Sequence, residues 1–256
     1  MRRLLTGAVA GAFLVLTGCG GAPETSPRGL TVPTGRSPSP LPVPQGQAPL
    51  PGGRDPRVSA LLEAVARTHA ATRNVTFTIQ ASGIEEKTGK PARNEGRITV
   101  EMPARIACQI TDSSDSKAIG TRMVWSGGKQ MSVHTKFMGF WLKVQVDVRD
   151  PRAADCRGYF LDEVSYPMAV QTLLDPRNQV TWLGMQPVDG RPCAMLGVLS
   201  PRSLRGIRRE VFAVDTASAV HVQREMFDAS DRSVLRIQLR NLRLNASLPP
   251  DTFTIR

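Results

Sequence analysis

SVLRIQLRNLRLN, residues 233–245, decides how the chain folds. Leu235, Ile237 and Leu239 share one face of a strand, with Arg236, Gln238 and Arg240 on the other, the period-2 pattern of a sheet that is dry on one side and wet on the other. Leu242 and Leu244 then fall on the opposite parity. A parity shift inside one strand is what a β-bulge produces, and bulges bend sheets. The expectation is a strongly curved antiparallel sheet.

The same alternation runs outward from this stretch. Val75, Phe77 and Ile79 alternate with polar residues, and Ile98, Val100 and Met102 follow after a turn around residues 88–94. Pro103 interrupts the pattern before Ile106, Cys108 and Ile110 resume it, and a proline inside a strand pattern marks an edge or a bulge. WSGGK (125–129) reads as a turn between two strands, FWLKVQVDV (140–148) as a strand, and everything from Val180 as strand, with turns at 188–191, 215–216 and 228–231. Two segments have helical spacing instead. Asp55-Pro56 supplies an N-cap and a proline at the first helical position, followed by the stripe Val58, Leu61, Leu62 and Val65, which His69 continues; YPMAVQTLL (166–174) is the second. The fold class is mainly β within α+β, a curved antiparallel half-barrel of about ten strands wrapped around two or three helices.

Residues 1–19 have the layout of a secretory signal: Arg2 and Arg3, an apolar stretch from Leu4 to Leu16, then small residues. The stretch is shorter than the ~20 apolar residues that cross a bilayer. Leu16-Thr17-Gly18-Cys19 resembles the lipobox of bacterial lipoproteins, which implies cleavage before Cys19 and a diacylglycerol on its sulfur; the alternative is an ordinary cleavable signal with an incidental cysteine. Two or three acyl chains, at about 0.8 kcal/mol per buried CH₂, anchor a protein stably. The resemblance further implies, from Gly20 after the cysteine, the periplasmic side of the outer membrane where the organism has two membranes. From Gly20 to Pro56 lie ten of the twenty prolines, so residues 20–55 read as a disordered stalk and residues 56–256 as one β domain. The formal charge is +11, of which the leader arginines account for 2, leaving +9. In an exported protein that favours anionic lipid or cell-wall partners over nucleic acid.

Little catalytic chemistry is visible. The sequence has no G-x-S-x-G, H-E-x-x-H, P-loop, G-x-G-x-x-G or C-x-x-C, and His69, His134 and His221 lack ligand spacing, so no enzyme, metal or cofactor is expected. Asp150, Asp155, Asp162 and Glu163 surround Cys156 and read as a solvated loop. Cys108 lies on the apolar face of a strand, which leaves Cys156 and Cys193 as the candidate disulfide. Arg202, Arg205, Arg208 and Arg209 form the most unusual polar run, either a patch for an anionic headgroup or partner or a solvated hairpin loop.

Three segments together resemble the LolA/LolB superfamily of lipoprotein carriers. EGRITVEMPARI (95–106) is similar to its early strand, WSGGKQMSVH (125–134) to its glycine-lysine hairpin, and LRNLRLNASLPPDTFTI (239–255) to its closing strand, Leu-Pro and final phenylalanine. The resemblance implies an unclosed antiparallel barrel capped by helices. Its relatives include lipoprotein chaperones, lipid carriers and envelope-stress sensors. Ile98, Val100, Met102, Ile106, Met123, Trp125, Trp141 and Phe160 are the candidate lining of an acyl-binding groove. The leading expectation is a membrane-anchored lipoprotein that binds a lipid or acylated protein; the alternative is a structural or envelope-stress interaction protein with a filled barrel and a protein or cell-wall partner.

Overall fold

The structure, a computed structural model, describes residues 55–255 apart from Arg202; the signal, Cys19 and the stalk to residue 54 lie outside the described residues. Helix α1 (Pro56–Ala71) starts as its sequence requires: the Asp55 side chain accepts from the Arg57 backbone N–H at 2.9 Å. Its buried stripe is Val58, Leu62 and Val65.

Eleven strands form one antiparallel sheet in the order β6-β5-β4-β3-β2-β1-β11-β10-β9-β8-β7. They are β1 (Asn74–Ile84), β2 (Pro91–Glu101), β3 (Arg105–Ser113), β4 (Arg122–Ser126), β5 (Gln130–Phe137), β6 (Phe140–Asp147), β7 (Gln179–Val188), β8 (Arg191–Leu199), β9 (Arg209–Asp215), β10 (Val220–Phe227) and β11 (Ser233–Leu244). Short α2 (Leu161–Val164) and α3 (Tyr166–Leu174) lie between β6 and β7. β6 and β7 are unpaired edges, so the sheet is a curved half-barrel, open as expected.

The bulge read from residues 233–245 is present. Thr76 pairs with Arg243 and Thr78 with Arg240, so Phe77 faces two residues of β11. Asn241 takes a φ of 51° there, a left-handed conformation that asparagine tolerates. Leu242 and Leu244 thereby return to the same core as Leu235, Ile237 and Leu239. Pro103 is placed differently from the expectation: it sits in the turn between β2 and β3, where Glu101 pairs with Arg105. Lacking an N–H, it stands where the ladder has already ended.

The concave face is filled. Val58 and Leu62 of α1 and Val170 and Leu173 of α3 pack on Val75, Val100, Leu196, Phe212 and Leu235. Val58, Leu173 and Phe212 are completely buried. A second cluster under β4 and β5 holds Ile110, Met123, Met131 and Val133 with Cys108, and a third joins Cys193, Met195, Val211 and Val222 of β8–β10.

Candidate functional site

At one rim of the half-barrel, three connections enclose an open cleft of about 610 Å³. The β1–β2 turn contributes Glu85, Glu86 and Lys87, the segment leading into α2 contributes Pro151, Asp155, Cys156, Tyr159 and Phe160, α2 itself contributes Glu163, and the β8–β9 connection contributes Ser203, Leu204 and Arg205. Three bonds hold these pieces together. The Glu86 N–H donates to Cys156 O at 3.0 Å, Arg205 Nη2 donates to Glu86 Oε2 at 2.8 Å, and the Tyr159 hydroxyl donates to Arg205 O at 2.7 Å. Gly158, at φ 76°, makes the turn that allows this, since a Cβ there would come within 2.7 Å of Arg205 Nη2.

The wall is apolar where it meets the core: Tyr159 and Leu204 belong to the main cluster, and Phe160 and Ala154 extend it. The polar part carries both signs. Asp155 is half-buried, and desolvation pushes its carboxyl up to about 6 although the Arg157 and Tyr159 backbone N–H groups donate to it at 2.8 and 2.9 Å. Glu85 is 4% exposed; its Oε2 accepts from the Thr88 hydroxyl, while its Oε1 has no hydrogen-bond partner. Burial pushes the Cys156 thiol up to about 12, which makes it a poor nucleophile.

The residues expected to act together are dispersed. Ile98, Val100, Ile106, Met123 and Trp125 share the concave face, as the pairings Ile98–Cys108, Val100–Ile106 and Ile106–Trp125 require, and Met102 packs on the same core; α1 and α3 cover that core. Phe160 alone of the set lines the cleft. Trp141 pairs with Lys136 on edge strand β6, on the convex side, its ring 5.0 Å from that of His134. Trp141 thus lies outside the expected groove, because it has the opposite parity on β6 to Val144 and Val146, which pack on the second cluster.

Cys156 and Cys193 do not form the expected disulfide; Cys108, Cys156 and Cys193 are free thiols. Cys193 points into the cluster of β8–β10 while Cys156 lines the cleft. The arginine run is likewise no single patch. Arg205 meets Glu86 at the cleft, Arg209 meets Asp231 at 2.7 Å and lies over the Phe227 ring, Arg208 is exposed and Arg202 lies outside the described residues. The solvated-loop reading does not describe these carboxylates: Asp162 and Glu163 are half-buried in α2 and both paired with Arg149, and Asp155 is half-buried at the cleft. Its signal was local: Asp155-x-Arg157-Gly158-Tyr159 is an Asx-type turn whose side chain caps its own backbone.

These described residues define an antiparallel half-barrel with a filled concave face and an open, mixed-charge cleft at one rim. No family model matches the chain, and the search of curated proteins finds no match. Solved structures similar to it include a DUF1329 family protein from Desulfovibrio piger (14% identity, TM-score 0.44, 78% of this chain and 98% of that one). The lipoprotein LppX of Mycobacterium tuberculosis (13%, 0.44, 77% and 99%) and a LolA superfamily protein from Nitrosomonas europaea (9%, 0.35, 77% and 97%) are others.

Proposed function

We propose that the chain is a non-enzymatic, lipid-anchored envelope protein that binds a lipid or an acylated protein, its alkyl part against Tyr159, Phe160 and Leu204 and its polar part at Glu85, Asp155 and Arg205. One observation carries this reading: the cleft is open, adjoins the core at the rim of a half-barrel, and its roughly 610 Å³ falls within the ~300–1,000 Å³ typical of small-ligand sites. Its mixed charge favours a zwitterionic or hydrogen-bonding head over a purely anionic one. Export and anchoring rest on the signal and on Cys19. The filled concave face supports the second reading, an interaction protein whose core is solid.

Native mass spectrometry of the exported Cys19→Ala chain tests the proposal, with extraction and identification of any bound mass. The expected result is a stoichiometric lipid or acylated peptide that is lost in Ser203→Trp, whose indole fills the cleft. An empty protein that takes up no added phospholipid overturns it and leaves the second reading.

A further inference from the structure

The segment KFMGFWLK (136–143) folds as the β5–β6 hairpin, with Phe137 opposite Phe140 and a two-residue turn at Met138-Gly139. Met138 is 81% exposed, Phe140 73%, Trp141 48% and Leu142 38%. Four large apolar residues in one five-residue tip are not the scattered exposure that any surface shows. The turn itself is costly: Met138 has φ 48° and Gly139 φ 88°, a pair of left-handed residues for which Asn-Gly or Asp-Gly is the favoured sequence. A methionine there strains the backbone and exposes a thioether to water. Neither stability nor solubility accounts for that choice.

The neighbours of the tip are cationic. Lys136 lies directly across from Trp141, and Lys143 across from His134; Lys117, in the β3–β4 connection, is exposed on the same rim beside exposed Ile119. None of these three lysines is in an ion pair among the described residues. Aromatic rings with lysines at their flanks suit the bilayer interface, where rings sit at headgroup level and long cationic side chains reach phosphates.

The topology gives the tip a position. Alternating strands place the β1–β2 turn, the β3–β4 connection, the β5–β6 tip, the β8–β9 connection and the β10–β11 turn at one end of the sheet, and the cleft opens between the first and fourth of these. We propose that the β5–β6 tip inserts into the interface of an anionic lipid bilayer and turns the cleft rim toward it. The occupant is a lipid surface because the tip combines apolar rings with lysines that have no ion pair among the described residues, in a chain whose formal charge is still +9 without the leader arginines. The inference does not need the cleft to hold a ligand.

The test is flotation of the exported Cys19→Ala chain with vesicles of phosphatidylcholine and phosphatidylglycerol at 3:1, and with phosphatidylcholine alone. The expected result is salt-sensitive binding to the mixed vesicles, with Trp141 quenched by brominated acyl chains. Phe140→Ser with Trp141→Ser lowers that binding about tenfold or more without shifting the thermal transition, Lys136→Gln and Lys143→Gln each lower it about fivefold, and Met138→Asn raises stability while weakening binding. Ser203→Trp leaves it unchanged, which separates this inference from the proposed ligand. Absence of binding by the parent chain, binding indifferent to the tip variants, or burial of the tip in a dimer seen by light scattering overturns it.

Discussion

Within the concave core Arg224 and Glu210 form a fully buried ion pair. Arg224 Nε and Glu210 Oε2 are 2.5 Å apart, each side chain 3% exposed, and the guanidinium also lies 5.5 Å from the Phe212 ring centroid. Desolvating two charges roughly cancels their attraction, so the pair adds little net stability, yet leaving one partner alone strands a charge in the core. Glu210→Gln should therefore cost about 3–5 kcal/mol, and Arg224→Met with Glu210→Leu should restore most of it. Urea unfolding of the three variants decides this; a single variant as stable as the parent would mean that water reaches the pair. Nothing in the local pattern RREVF announces the burial, since Glu210 and Arg224 are 14 residues apart and meet only because β9 and β10 pair.

The strand elements were the most legible part of the chain, and the reason is physical. A sheet with one buried face writes its register into the sequence at period 2, so β1, β2, β5 and the β11 bulge could be read from Val75, Ile98, Met131 and Leu242. The helix over Tyr166–Leu174 has the boundaries its pattern predicts. Edge strand β6 was legible as a strand but not as an exposed one, because apolar residues at its start look like core until the partner face is known. The cleft was hardly legible: it is assembled from three connections far apart in sequence, and Asp155 reads as a solvated carboxylate until its turn brings the Arg157 and Tyr159 N–H groups onto it. At the bulge the prediction is sharp. Asn241→Val places a β-branched residue at φ 51° and should destabilise by about 1–2 kcal/mol, while Asn241→Gly stays within about 0.5 kcal/mol of the parent. Equal losses in both variants would show that the asparagine side chain, not its backbone, holds the bulge.

At the scale of the whole molecule, buried His221 and half-buried Asp155 act on acid stability in opposite directions. His221 stacks on Tyr166 at 4.8 Å between the sheet and α3, its Nδ1 has no hydrogen-bond partner, and burial, with Arg224 nearby, lowers its pKa from 6.5 to about 3. Between those values the unfolded chain binds a proton that the native state refuses, so His221 removes stability as pH falls from 6.5 to 3. Asp155 is raised from 3.8 to about 6 by desolvation; between those values the native state holds a proton that the unfolded chain has released, so stability from this group grows as pH falls through 6 toward 3.8. Each slope is at most about 1.4 kcal/mol per pH unit, and over pH 4–6 the two offset one another. Breaking either side should expose the other. Asp155→Asn should steepen the loss of stability from pH 6.5 to 4 and be more stable than the parent at pH 7.5, where the charged carboxylate is a burden. His221→Leu should reverse the trend relative to the parent and gain stability on acidification over the same range. Thermal unfolding of both variants across pH 4–7.5, read as differences from the parent, measures the two slopes directly; slopes of the same sign would show that one of the groups reaches solvent in the native protein.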